Sequence, residues 1–414
     1  MNRKVLGAVF GLGWAVAACA TGDAPTAGDE SALNAGNPAQ QSSDDAIQTA
    51  SICAGGRFRC FAQIQVGTNG QPLHFAGPSG LGATDLQDAY KLDATLDPGA
   101  TIAIIDAFGY AKAEADLNVY RAQYGLGKCT VDNGCLTIVN QDGAASPLPP
   151  EPPSNDDWTT ETALDLDMAS AACPKCKLLL VQANSDQDDG LFIAQATAAR
   201  LGATVISDSW GTSETADEPM TNYEHYFDLQ NVGIFVASGD SGYNNGGSGP
   251  DYPSTSAHVT AVGGTNLKKV GSGSRGWTEK AWGGLFSSLF GAGGSACGLS
   301  VPKPAYQGNT ACNFRAASDV AAVGDPLTAP AIYHSGWTAV GGTSAAAPLV
   351  AGIYALTGHG REAPSFAYEH TAAYWDVSTG SNGKCKNVLC NAGRGWDGPT
   401  GNGTPNGAAL EAIH

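Results

Sequence analysis

Four side chains in this sequence have the types and spacing to break an amide bond. The first is a hydroxyl, Ser344, delivered by the run Gly341-Gly342-Thr343-Ser344-Ala345-Ala346-Ala347-Pro348. The apolar stretch Leu349 to Leu356 that follows at once reads as a helix. Ser344 therefore stands where a helix begins and where unpaired backbone N–H groups can meet a developing oxyanion. A serine hydroxyl is a poor nucleophile without a base. None of the seven histidines, His74, His225, His258, His334, His359, His370 and His414, lies in a Gly-rich, helix-starting setting, and His225 sits in an ordinary amphipathic pattern. The sequence offers carboxylates instead. Glu161 and Asp165 are four residues apart in Thr-Glu-Thr-Ala-Leu-Asp-Leu-Asp, which puts them on one helix face with Cβ atoms about 5–6 Å apart. Buried beside Ser344, such a pair would share a proton and titrate as a unit, one step pushed up. A carboxylate base suits low pH, because its pKa must lie near the operating pH. Asp167 is off that face and reads as ordinary. The fourth group is Asp240, in Val-Ala-Ser-Gly-Asp-Ser-Gly, where a protonated carboxyl can donate to an oxyanion. Taken singly, each has a plainer explanation: a serine helix cap, a solvated acidic face, an aspartate in a turn.

Elements that could position these groups are legible around them. Thr84 to Leu92 and Lys112 to Tyr124 have helical spacing, and Ala100 to Ala107 is an apolar run containing Asp106 near its end. From Asp157 the alternation is regular. Helices are expected at Trp158 to Ala172, Gly190 to Leu201 and Thr221 to Leu229, and strands at Lys177 to Gln182, Thr204 to Ser209 and Gly233 to Ser238. Val259 to Thr265 and Ser318 to Val323 read as further strands, and Gly271 to Gly294 as a hairpin and loop. Helix and strand in strict turn predict an α/β fold, a parallel sheet with helices on both faces. Ligands on such sheets bind at the carboxyl ends of strands, and Asp106, Ser209 and Asp240 all fall at or just past such ends. Trp210, Trp282 and Phe286 are candidates to line a cleft, though each also reads as core.

The 414 residues are 43% hydrophobic and 14% charged, with 55 Gly, a composition suited to a loop-rich globular chain. A formal net charge of -18 argues against nucleic acid or anionic membrane surfaces as partners. Arg3 and Lys4 followed by apolar Val5 to Ala18 read as an export signal. Val16-Ala17-Ala18-Cys19 resembles a lipobox, which would make residues 1–19 a signal peptide and Cys19 a lipid anchor to a membrane; plain signal cleavage near the same residues is the alternative. Residues 20–52 read as a flexible tether or short leader, and 53–414 as a single domain. Of eleven cysteines, setting Cys19 aside leaves ten in close neighbours: Cys53/Cys60, Cys129/Cys135, Cys173/Cys176, Cys297/Cys312 and Cys385/Cys390. Five local disulfides are the simplest framework for an exported chain; Cys173-Pro-Lys-Cys176 as a redox or metal pair is the alternative.

Four motifs in order, Glu161-x-x-x-Asp165, Ser209-Trp210-Gly211, Ser238-Gly239-Asp240-Ser241-Gly242 and Gly342-Thr343-Ser344-x-x-x-Pro348, resemble the sedolisins, the serine-carboxyl peptidases of family S53. The resemblance runs from about residue 80 to the C-terminus. It implies a subtilisin-like three-layer fold and an acid-active endopeptidase of protein or peptide substrates, with Ser344 as nucleophile, Glu161 as general base, Asp165 as orienting acid and Asp240 as oxyanion donor. Asp106 would stand near the place of a subtilisin's triad aspartate, outside the reacting groups. The resemblance also implies one Ca2+ held by the Asp376 and Asp397 side chains and the backbone carbonyls of Val377, Gly393 and Gly395, water supplying the rest; the alternative is a Gly-rich turn with incidental carboxylates. The chain departs from the family in two places. About sixty residues, 20 to 79, stand where a long pro-domain is usual, and Ser318 stands where Pro is expected. A monomer, secreted or anchored in a bacterial cell envelope, is the expected form. Two other readings remain at this point: a non-catalytic binding protein on the same scaffold, and a neutral Ser-His-Asp peptidase whose His is hard to place.

Overall fold

The computed structural model describes residues 47–414 except 54, 216–218, 272, 274, 285, 286 and 309. The expected signal segment, Cys19, most of the tether and Phe286 lie outside the described residues. All described residues belong to one compact unit, Asp45–His414.

In chain order the elements that matter are β1 (Gln48–Ser51), β2 (Arg59–Cys60), β3 (Gln63–Val66), α1 (Ala83–Tyr90), β4 (Thr101–Ala107), α2 (Ala113–Gln123), β5 (Leu136–Asn140), α3 (Trp158–Ala172), β6 (Lys177–Ala183), α4 (Gly190–Arg200), β7 (Val205–Asp208), β8 (Trp210–Ser213), β9 (Gly233–Ala237), β10 (Thr260–Lys269), β11 (Trp277–Ala281), β12 (Val320–Val323), β13 (Trp337–Gly341) and α5 (Thr343–Leu356). The central sheet runs β11-β10-β9-β7-β4-β6-β5, with β12 also on β10. Its pairs are parallel except the β10–β11 hairpin. Apolar runs such as Ile102–Ile105 and Leu178–Val181 are buried on both faces of this sheet, as a parallel sheet under helices requires.

Two helices form the floor of the site. α3 is buried at nearly every position, Glu161, Asp165 and Asp167 included. Asp167 is therefore not an ordinary surface residue: burial holds its carboxyl well above the usual carboxylate range, and it accepts a bond from Tyr333 N–H at 2.9 Å. α5 crosses α3 closely. A Cβ on Gly352 would stand 3.2 Å from the Ala169 carbonyl, so a small residue is required there despite a helix-interior cost of about 0.5–1 kcal/mol. Both helices are buried nearly all round, as core helices are, although α3 carries three acids.

The expected helix at Thr221 to Leu229 is instead two 3-10 turns, Met220–Asn222 and Glu224–Tyr226. Tyr226 stacks on Phe192 from α4 while Tyr223 packs on it tilted and Phe227 edge-on, and this aromatic packing sets the backbone over a weak helical preference. The tether ends sooner than expected: residues 48–51 pair antiparallel with 63–66. All five local disulfides form as the cysteine spacing predicts. Among the described residues, no helix is long and apolar enough to cross a membrane.

Candidate active site

Ser344 is the second residue of α5, not its cap. The cap position is Gly342, with φ 103°. That left-handed angle favours glycine, and so does crowding: an added Cβ would overlap the Phe61 carbonyl oxygen and stand 2.8 Å from Asp240 Oδ2. Pro348, four residues on, has no N–H to bond the Ser344 carbonyl, and that carbonyl accepts from Ser209 Oγ at 3.4 Å instead. The nucleophile candidate is thus tied to the end of the β7 strand. Its Oγ donates to the Ser209 carbonyl at 3.1 Å and accepts from Phe61 N–H at 3.1 Å. Its own N–H donates to the Phe61 carbonyl at 3.0 Å.

Glu161 and Asp165 are both fully buried beneath this hydroxyl. The nearby Ser344 hydroxyl favours the ionised form of Glu161, but burial first and Asp106 second hold its carboxyl well above the usual range. Asp165 is raised by burial and then by Asp106 and Glu161, and its Oδ1 accepts from Ser209 Oγ at 2.9 Å. The remaining oxygens, both of Glu161 and Oδ2 of Asp165, lack a well-formed hydrogen bond. Asp106, at the end of β4, belongs to the same cluster. It is fully buried, and burial pushes it up to about 7. Sequence reasoning set it outside the reacting groups. Its position at a strand end was visible, but its electrostatic coupling to two residues of another element was not.

Asp240 is joined to the Ser344 turn through Thr343. Its Oδ1 accepts from Thr343 N–H at 2.8 Å and from Thr343 Oγ1 at 2.9 Å, and Thr343 Oγ1 accepts from Gly239 N–H at 3.0 Å. Thr343 thereby locks the Asp240 turn to the Ser344 turn, a role the sequence did not reveal. Burial pushes Asp240 up to about 7, so the carboxyl is largely protonated in acid. Its Oδ2 has no well-formed partner and faces the space at Gly342 that the Phe61 carbonyl also borders.

No histidine bonds Ser344 among the described residues. His334 is occupied by Thr159 Oγ1 and Thr160 Oγ1 at 3.1 and 2.9 Å. The aromatic cleft candidates are core: Trp210 and Trp282 are buried, and their indole N–H groups donate to the Ile105 and Phe290 carbonyls.

The expected metal residues do meet near the C-terminus. Gly395 N–H donates to Asp376 Oδ2 at 3.3 Å, and Gly393 N–H to Asp397 Oδ2 at 2.8 Å. Thr400 Oγ1 bridges Asp397 Oδ1 at 2.9 Å and the Val377 carbonyl at 3.4 Å. Burial, with Asp376 adding repulsion, pushes Asp397 up to about 7. Among the described residues, neither carboxylate has a Lys or Arg partner within ion-pair distance, and no group of three or more His, Cys, Asp or Glu side chains could hold a metal. The donor set therefore has two carboxylates and depends on backbone oxygens.

A family model described as the subtilase family matches residues 154–393. Kumamolisin of Bacillus sp. (strain MN-32) is 31% identical over 365 residues, covering 81% of this chain and 64% of the relative. Sedolisin of Pseudomonas sp. (strain 101) is 28% identical over 393 residues, covering 86% and 65%. The chain thus spans slightly under two thirds of the length of both. Among solved structures, Pseudomonas sedolisin, a serine-carboxyl proteinase complexed with two molecules of pseudo-iodotyrostatin, superposes with a TM-score of 0.68 at 24% identity, covering 81% of this chain and 98% of that one. That match has the same subtilisin-like α/β fold.

Proposed function

The chain belongs to the subtilase family, in its sedolisin branch, and from that premise we propose that it is an exported serine endopeptidase acting on proteins or peptides in acid. One observation carries the reading. The Ser344 hydroxyl lies beside the buried Glu161 carboxyl, while the Ser344 N–H donates to the Phe61 carbonyl oxygen, which borders the same space at Gly342 as Asp240 Oδ2. In this reading Ser344 Oγ attacks the substrate carbonyl and Glu161 takes its proton. Asp165, held by Ser209, keeps the charge of the carboxylate set in place. The Ser344 N–H and protonated Asp240 stabilise the oxyanion. Asp106 lends the set a third carboxyl and shares its protons.

The acid preference follows from the titrating groups. Asp240 donates only while protonated, so activity falls as pH rises through about 7. The acid limb is set by loss of the last negative charge on Asp106, Glu161 and Asp165. Asp376, Asp397 and the carbonyls of Val377, Gly393 and Gly395 suit a single Ca2+, which would offset the repulsion between two carboxylates that have no cationic side chain. Export rests on the N-terminal segment and the five disulfides, and lipid anchoring through Cys19 on the lipobox-like residues before it.

The test is casein hydrolysis between pH 3 and 8, with and without a calcium chelator. Wild type should be active in acid. Ser344→Ala should be inactive, Glu161→Gln should lose at least 100-fold, and the chelator should lower Tm in wild type but not in Asp397→Asn. Full activity of Ser344→Ala would end the proposal.

A further inference from the structure

Glu161 and Ser344 come from different elements, and a histidine outside the carboxyl cluster ties those elements together. Residues 331–333 pair antiparallel with 337–339 of β13, so His334, Ser335 and Gly336 form the tip of a hairpin. The outgoing strand, β13, ends at Gly341 and runs straight into the Gly342-Thr343-Ser344 turn. The tip is anchored by its backbone. Tyr333 N–H donates to Asp167 of α3 at 2.9 Å, and Ser335 N–H donates to Asp116 of α2 at 2.8 Å. From there the His334 ring reaches the first turn of α3. Its Nε2 lies 3.1 Å from Thr159 Oγ1 and its Nδ1 2.9 Å from Thr160 Oγ1. Both hydroxyls already donate to the cap residue, to Asp157 Oδ1 at 2.8 Å and to Asp157 Oδ2 at 2.6 Å. A hydroxyl has one hydrogen, and a carboxylate only accepts. The four contacts therefore need four hydrogens, one from each threonine and two from the ring. Neutral imidazole has a single N–H, so one contact must open; imidazolium has two, and all four close.

We propose that His334 is a positioning residue for the reaction: protonated in acid, it bolts the first turn of α3, which carries Glu161, to the hairpin that delivers Ser344, and on losing its proton it releases one of the bolts. The proposal rests on the peptidase reading above. His334 acts through Thr160, the residue before Glu161, so it sets the distance between base and nucleophile without touching the substrate. A small displacement there is costly in rate. The groups around the ring decide when the bolt closes. Burial, the largest effect, lowers the ring below the ordinary histidine range; Asp157 from the α3 cap and Asp116 from α2 raise it, and His74 and Lys112 lower it. The Tyr110 ring lies tilted against its face, centroids 5.5 Å apart. A cavity of about 320 Å³, lined by His74, Asp157, Thr160, His334 and Thr338 among others, opens beside the ring and gives its proton a route to solvent. The bolt therefore closes in acid. It is a second source of acid preference, separate from the proton on Asp240.

Casein hydrolysis by the full-length chain is followed from pH 3 to 8, at limiting and at saturating substrate, for wild type and His334→Gln. The amide carries its hydrogens on one atom only, so it makes the bonds of a neutral ring at every pH. His334→Gln should lose about tenfold or more in kcat at pH 4 with little change in KM. The gap should close to about twofold or less at pH 7, where the wild-type ring is neutral. A histidine with a merely structural role would give the same ratio at both. The ring itself is read by nitrogen-15 NMR of histidine-labelled Ser344→Ala, with His334 assigned through its contact with the Tyr110 ring. Both ring nitrogens should carry a hydrogen at pH 4 and one of them at pH 7.5, a measurement that stands even where His334→Gln folds poorly. An equal loss of kcat at every pH, or a single ring N–H at pH 4, ends this inference and leaves the peptidase reading standing. Absence of casein hydrolysis by wild type anywhere between pH 3 and 8 ends both.

Discussion

Asp240 has one oxygen tied twice to Thr343 and the other without a well-formed partner, with the Gln63 side chain also reaching the carboxyl; in the proposed mechanism a proton on that second oxygen is the one that meets the oxyanion. Replacing it with Asn keeps a donor there at every pH. Asp240→Asn should therefore retain measurable activity, reduced about 10-fold or more by the weaker donor, and lose the fall near pH 7. A pH profile of kcat/KM on a peptide substrate checks this; an unchanged alkaline limb would assign that limb to the Glu161 set instead. At this scale the sequence was informative because the relevant spacings are short. Glu161 and Asp165 are one helical turn apart, and Ser344 and Asp240 each sit in a run of small residues. What it could not reveal were partners from distant segments: Asp106 against Glu161 and Asp165, Thr343 against Asp240, and Phe61 on Ser344.

At the scale of elements, α3 must present two carboxyls inside a core, and its start is fixed by Asp157. That side chain accepts from Thr160 N–H at 3.1 Å and from the hydroxyls of Thr159 and Thr160. Asp157→Ala should cost about 1 kcal/mol of stability, read as a lower denaturation midpoint. It should also reduce kcat more than it raises KM, since Glu161 is in the first turn. The helices and strands of the sheet were legible because apolar runs and helical spacing persist over many residues. The short pieces were not. β2 has two residues and no periodicity, and its existence depends on Gly211 and Trp210 lying 150 residues away in sequence. The pair of 3-10 turns at 220–226 follows from aromatic packing that a local pattern does not contain.

For the molecule as a whole, the buried carboxyls decide how stability responds to pH. Asp106 and Asp240 are pushed up to about 7 and Asp251 to about 6, and Glu161, Asp165, Asp167 and Asp208 are also raised, in each case by burial first. Unfolded carboxyls ionise near 4. Between there and about 7 the folded chain holds more protons than the unfolded one, so their contribution is fully present in acid and lost as pH rises. The net charge of -18 at pH 7 acts in the same direction. Tm of Ser344→Ala, which removes self-digestion from the measurement, should be several degrees higher at pH 4.5 than at pH 8; the opposite order would mean that the buried cluster keeps its charge.

The Cys53–Cys60 bridge closes a loop that ends one residue before Phe61, whose N–H and carbonyl both bond Ser344. A peptide of residues 53–61, oxidised into that loop, would already have its docking residues constrained and would lose little conformational entropy on binding. It would therefore be a ready-made competitive inhibitor template for this enzyme, and its reduction by a thiol would be a simple way to weaken the hold.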